Sequence, residues 1–97
     1  MTAHATPVTL DDHIASSEDV LIQEVGGEAV LLDLASERYF GLDQVGTRIW
    51  QLIEEIGQLR AIHARLCVEF DAEPLRIEQD LLRLASDLGE AGLVKIG

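Results

Sequence analysis

The apolar residues change their period at Asp43, and that change decides the fold class. Before it lie three short runs, DVLIQEV (19–25), EAVLLDL (28–34) and ERYFGL (37–42). Runs of this length, rich in branched and aromatic residues and bounded by turn residues, read as β-strands. Gly26-Gly27 separates the first two, and a two-residue Gly-Gly loop suits a tight hairpin whose central residues need φ > 0. Ala35-Ser36 separates the second from the third. Together the three runs predict an antiparallel meander.

After Asp43 the apolar positions recur every three or four residues. Val45, Ile49, Trp50, Leu52, Ile53 and Ile56 fall on one side of a helix. Asp43 is placed to cap its start and Gly57 to end it. Leu59, Ile62, Leu66 and Phe70 repeat the pattern over 58–70. Pro74 suits the first position of a third helix, because its fixed φ is helical and its missing N–H is not needed there. Ile77, Leu81, Leu84 and Leu88 form that helix's stripe, Gly92 stops it, and LVKI (93–96) reads as a closing strand or extended tail. Residues 1–18 have no sustained period. With Pro7 and Ser16-Ser17 they are expected to form an extended, partly mobile arm, in which Val8 and Leu10 could add a short strand or pack on the body. Residues 19–97 are expected to form one domain. The order predicts an α+β fold, a three-stranded antiparallel sheet followed by three helices packed on one side. With helices two and three as a helix-turn-helix and the hairpin as a wing, the fold is winged helix-turn-helix-like.

Charge narrows the partners. Eighteen acids against seven Lys and Arg give −11 over 97 residues. Residues 1–42 carry one basic residue, Arg38, against eight acids, a net −7. A polyanion is a poor partner for such a chain, since nucleic-acid binding depends on basic residues displacing counterions. The third helix, which would read DNA in a winged helix, has Arg76 and Arg83 against Glu78, Asp80, Asp87 and Glu90, a net −2. A DNA-binding regulator is therefore the least favoured class. No apolar run approaches the roughly 20 residues needed to span a bilayer, so no membrane partner is expected. The start lacks the basic and apolar segments of a secretory signal. A single cysteine, Cys67, excludes an internal disulfide and fits a reducing compartment. A cytoplasmic location is expected.

No catalytic set emerges. His63 and Cys67 share a helix face at i, i+4, but two ligands fall short of the four a structural zinc site uses. One helix face is also a poor active site for a Cys–His pair. The glycines form no phosphate-binding loop. The chain is expected to be no enzyme and to use no metal or cofactor.

A binding surface is easier to place. As the last strand of a meander, 37–42 is an expected sheet edge, and an open edge offers backbone groups to an extended peptide. Along it Arg38 and Phe40 share one face and Tyr39 and Gly41 the other; alternation leaves open which face meets the helices. The apolar stripe of the third helix supplies a second wall, with Arg76, Asp80, Arg83 and Asp87 along its rim. Spacing alone favours ion pairs within that rim, each worth about 0.2–0.5 kcal/mol. The candidate peptide-binding residues are Glu37, Arg38, Tyr39, Phe40 and Gly41 from the strand, and Arg76, Ile77, Asp80, Leu81 and Leu84 from the helix.

The run VLLDLASERYFGLDQVGTRIWQLIEE (30–55), two further helices and the ending LGEAGLV (88–94) resemble the PqqD-like family, and more narrowly the stand-alone leader-binding proteins of lasso-peptide biosynthesis. Asp33, Tyr39, Leu42, Asp43, Gly46, Ile49 and Trp50 carry the likeness, with the Asp80, Leu88, Gly92-Leu93 ending. It covers roughly residues 19–96. The family's usual Asn after the aromatic-Leu strand is Asp43 here, and its Gly closing the first helix is Gly57. The resemblance implies a non-catalytic domain that binds the leader of a ribosomally made precursor as an added strand beside the third strand, against the third helix. It further implies presentation of that precursor to a leader-cleaving cysteine protease and an ATP-dependent macrolactam synthetase. The alternative it leaves is a PqqD-type peptide chaperone for a radical SAM enzyme.

Overall fold

The computed structural model describes residues 7–97. The element order is β1 (Ile14–Ser16), β2 (Val20–Val25), β3 (Glu28–Asp33), β4 (Arg38–Leu42), α1 (Gln44–Glu55), α2 (Leu59–Glu69), α3 (Pro74–Glu90) and β5 (Val94–Ile96). The meander is present as β2-β3-β4, antiparallel throughout. Gly26 and Gly27 sit at φ 61° and 85° in the two-residue turn, the left-handed pair that this hairpin requires.

The β3–β4 turn is longer than Ala35-Ser36 alone. Asp33 organises it by accepting from the Ala35 N–H and from the Ser36 hydroxyl. Glu37 falls in this turn at φ 60° and donates its N–H to the Asp33 carbonyl. The strand therefore begins at Arg38, one residue later than the alternation suggested.

The helices begin and end for the reasons read from the chain. The Asp43 carboxylate accepts from the Gly46 N–H at 2.7 Å and caps α1. A Cβ on Gly46 would lie 3.2 Å from both that carboxylate and Leu42, so the capped corner leaves little room for a side chain. Pro74 opens α3. Gly57 and Gly92 follow α1 and α3 at φ 77° and 78°.

One face of the meander is covered by α1. α1 packs on β3 and β4, α2 packs on α1 and α3, and α3 packs on α2 and β5. Leu31 of β3, Trp50 and Leu52 of α1, Leu59, Ile62 and Leu66 of α2, and Leu81 and Leu88 of α3 are fully buried between them. Arg48 and Glu69 tie α1 to α2 through two parallel bonds of 2.7 Å. His63 donates its Nε2 proton to the Pro74 carbonyl at 2.8 Å, joining α2 to the start of α3.

The arm expected over 1–18 falls partly outside the described residues, at 1–6. Its remainder runs differently from a free arm. β1 pairs antiparallel with β5, Ile14 opposite Ile96 and Ser16 opposite Val94. Leu10 and Ile14 are buried in the common core. The partner strand lies some eighty residues away in the chain, so no local pattern announces the pairing. Among the described residues no helix is long and apolar enough to cross a membrane.

Candidate functional site

Strand order makes β4 an edge, and the ladder decides what that edge offers. Leu34 donates to the Asp19 carbonyl at 2.8 Å, one step beyond the Val20–Asp33 pair. In an antiparallel ladder, bonded and non-bonded pairs alternate. The even residues of β3 therefore bond to β2, and its odd residues, Ala29, Leu31 and Asp33, bond to Leu42, Phe40 and Arg38 of β4. Tyr39 and Gly41 are left with N–H and C=O groups aimed away from the sheet. These are the groups an added strand would use.

The same register settles the faces. Phe40 and Leu42 lie opposite Leu31 and Ala29, on the side packed against the helices. Tyr39, opposite Leu32, points to the other side and is 72% exposed.

Beside the edge runs a groove of about 480 Å³, floored by Phe40, Leu42 and Ile49 and walled on the far side by Asp80, Leu84 and Asp87 of α3. A smaller pocket of about 130 Å³ shares Val45, Ile49 and Asp80 with it. Leu66, Phe70 and Ile77 make that pocket apolar, and Arg76 also lines it. The groove exists because α1 starts directly after β4 and wedges between the strand and α3.

Among the described residues the ion pairs are Arg48–Glu69, Arg60–Asp11 and Arg65–Glu55. Arg76, Asp80, Arg83 and Asp87 take part in none, contrary to the pairing that spacing favoured. Asp43, Asp80 and Asp87 all face the groove, so its walls are acidic.

The expected residues divide accordingly. Phe40, Gly41, Asp80 and Leu84 line the groove, and Arg76 and Ile77 line the adjoining pocket. Arg38 shares the Phe40 side of the strand and is exposed. Three placements differ from expectation. Leu81 is fully buried in the core, because it sits at the centre of the α3 stripe. The Tyr39 side chain leaves the groove side, so only its backbone belongs to the edge. Glu37 lies in the turn rather than on the strand. Conversely, Asp43, Val45, Gly46 and Ile49 line the groove, although none of them is among the candidate peptide-binding residues. The missing loop between strand and helix was the signal that could have placed them.

Among the described residues no histidine or cysteine lines the groove or its adjoining pocket. His63 and Cys67 do meet, at 3.6 Å, but the His63 Nε2 proton is already given to a carbonyl. Among the described residues no three His, Cys, Asp or Glu gather as metal ligands would. What the groove can do is hold an extended chain: backbone pairing along one wall, an apolar pocket, and carboxylates opposite.

Comparison with known proteins places this geometry. A family model described as coenzyme PQQ synthesis protein D (PqqD) matches residues 28–94. Among solved structures, TbiB1 in complex with the TbiA(beta) leader peptide is 34% identical, with a TM-score of 0.79 over 84% of this chain and 94% of that one. A lasso peptide synthetase B1 complexed with the leader peptide is 22% identical, with a TM-score of 0.77 over 86% of this chain and 98% of that one, a likeness of fold. No curated protein matches the chain.

Proposed function

The chain belongs to the PqqD family, and from that premise we propose that it binds the leader region of a ribosomally synthesised precursor peptide without acting on it chemically. The leader adds as a strand to β4, bonded to the backbone of Tyr39 and Gly41, with side chains directed into the groove against α3. The observation that carries this reading is the open edge: the outward-facing backbone groups of β4, at Tyr39 and Gly41, border a groove with an apolar pocket and with rim charges that, among the described residues, join no ion pair. The leader complex of TbiB1, at 34% identity, supports it. The three groove carboxylates favour a leader segment that is neutral or basic.

Holding the leader presents the rest of the precursor to its processing enzymes. By the lasso-peptide likeness these are a leader-cleaving cysteine protease and a macrolactam synthetase, in the cytoplasm. The PqqD description favours a second reading, a chaperone for a radical SAM enzyme acting on a different precursor; the same groove would serve.

Titration of a fluorescently labelled leader, taken from any short precursor encoded near this gene, tests the proposal. Saturable binding that is competed by unlabelled leader is expected. Absence of saturable binding by a folded protein refutes it. Which precursor binds separates the two readings.

A further inference from the structure

The apolar pocket beside the groove is assembled from four pieces of chain. Val45 and Ile49 come from α1, Leu66 from α2, Phe70 and Ala72 from the link after it, and Arg76, Ile77 and Asp80 from α3. At about 130 Å³ the pocket is small, so a modest shift of one wall changes what it can hold. The walls are unequally secured. Ile49, Leu66 and Ile77 are buried in the core. Phe70 is only half-buried, and in the last turn of α2 ahead of it Val68 is 84% exposed. Apolar packing therefore thins toward the end of α2, where Phe70 closes the pocket.

A polar contact takes over there. Arg48 immediately precedes Ile49, and Glu69 immediately precedes Phe70. The Arg48 Nε and one terminal nitrogen donate to the two Glu69 carboxylate oxygens, both at 2.7 Å. This fork fixes distance and angle together. The other terminal nitrogen donates to Gln51 Oε1 at 3.0 Å, and Gln51 Nε2 donates to Glu24 of β2 at 3.1 Å. The guanidinium is thus held from both sides, between α2 and the sheet. Among the described residues the other ion pair joining α1 to α2, Arg65–Glu55, is 3.9 Å long and lies at the far end of α1. Neither Arg48 nor Glu69 lines the groove or the pocket.

We propose that Arg48 and Glu69 form a positioning clasp for peptide recognition, setting the spacing of Ile49 and Phe70 and so keeping the pocket in shape for a leader side chain. This rests on the leader-binding reading above. A preformed pocket costs the leader no reorganisation. A pocket that loosens lowers the apparent affinity by the fraction of molecules in which it keeps its shape. The clasp acts through its two neighbours in the chain and touches no peptide itself.

The test is a double-mutant cycle on leader affinity, with the full chain and a labelled leader from a short precursor encoded near the gene. Arg48→Gln and Glu69→Gln each remove half of the clasp. Each is expected to weaken binding by roughly three- to fivefold. The double variant is expected to bind no more weakly than either single one, because the two residues act as a unit. Thermal melts verify that every variant is folded at the titration temperature, where lost stability alone leaves affinity unchanged. Arg60→Gln breaks Arg60–Asp11, a 2.7 Å pair that borders neither groove nor pocket, and is expected to bind as wild type does. Unchanged affinity in both folded single variants overturns the proposal. Losses that add in the double variant also overturn it, since they would place Arg48 and Glu69 in separate contact with the leader. An equal loss in Arg60→Gln does so too, by making the effect general to ion pairs of this fold. Absence of saturable binding by the wild-type protein overturns the groove reading, and the clasp with it.

Discussion

Replacing Gly41 by proline tests the open edge most directly. Gly41 directs its N–H outward, so proline removes a donor that the β3–β4 ladder does not use, and an edge strand tolerates proline in that position. A Cβ at residue 41 would meet nothing within 4 Å, so the fold has room for it. Binding has less tolerance. One backbone hydrogen bond is worth about 1 kcal/mol net, and a peptide carbonyl left unpaired beneath the ring costs about 1–3 kcal/mol more. The sum, about 2–4 kcal/mol, corresponds to roughly 30–900-fold in Kd. Fluorescence polarisation with labelled leader measures it, and a thermal melt verifies that the sheet survives. Gly41→Ala keeps the N–H and points its methyl to the outer face, so it should bind within about twofold of wild type. A folded Gly41→Pro protein that binds leader as tightly as wild type would show that strand addition does not use β4.

Three further outcomes follow from particular residues. Leu81→Ala should lower stability by about 2–5 kcal/mol in urea, as truncation of a fully buried leucine does, whereas Leu84→Ala should chiefly weaken leader binding; equal effects of both on binding alone would contradict the core placement. Asp80→Lys should weaken a basic leader by about three- to tenfold and flatten the salt dependence of its binding, read by titration at low and high salt. Glu69 is held below its ordinary value of 4.5 by the hydrogen bonds and charge of Arg48. Its contribution, about 1 kcal/mol for a well-formed but partly exposed pair, is therefore complete above pH 4.5 and is lost as pH falls through the lowered folded value. The stability gap between wild type and Glu69→Gln should close over that acid range, and a gap that persists at the lowest pH would contradict the assignment.

Much of this architecture is local chemistry and so is legible in the chain. The Gly26-Gly27 turn, the Asp43 cap, the Pro74 start and the two glycine stops each depend on residues within a few positions of one another. The groove was legible in part. The strand and the third helix could be named as its walls, because an end strand and an apolar stripe are properties of single elements. Leu81 and Leu84 could not be told apart, since a stripe does not reveal which of its members another helix covers. Nor could α1 be seen as the floor, because periodicity describes a helix without saying what it wedges against.

By itself the sequence determined which residues share a side: Arg38 with Phe40, Tyr39 with Gly41, since side chains on a strand alternate whatever surrounds them. Tertiary packing decided which side is which. The helices settle on the face where Leu31 and Ala29 meet Phe40 and Leu42, and that sends Tyr39 outward while its backbone stays on the edge. It also paired Ile14–Ser16 with Val94–Ile96, a contact between chain ends that only folding brings together. Alternation is set by the geometry of one strand; its sign, and every contact between distant segments, is set by where the core forms.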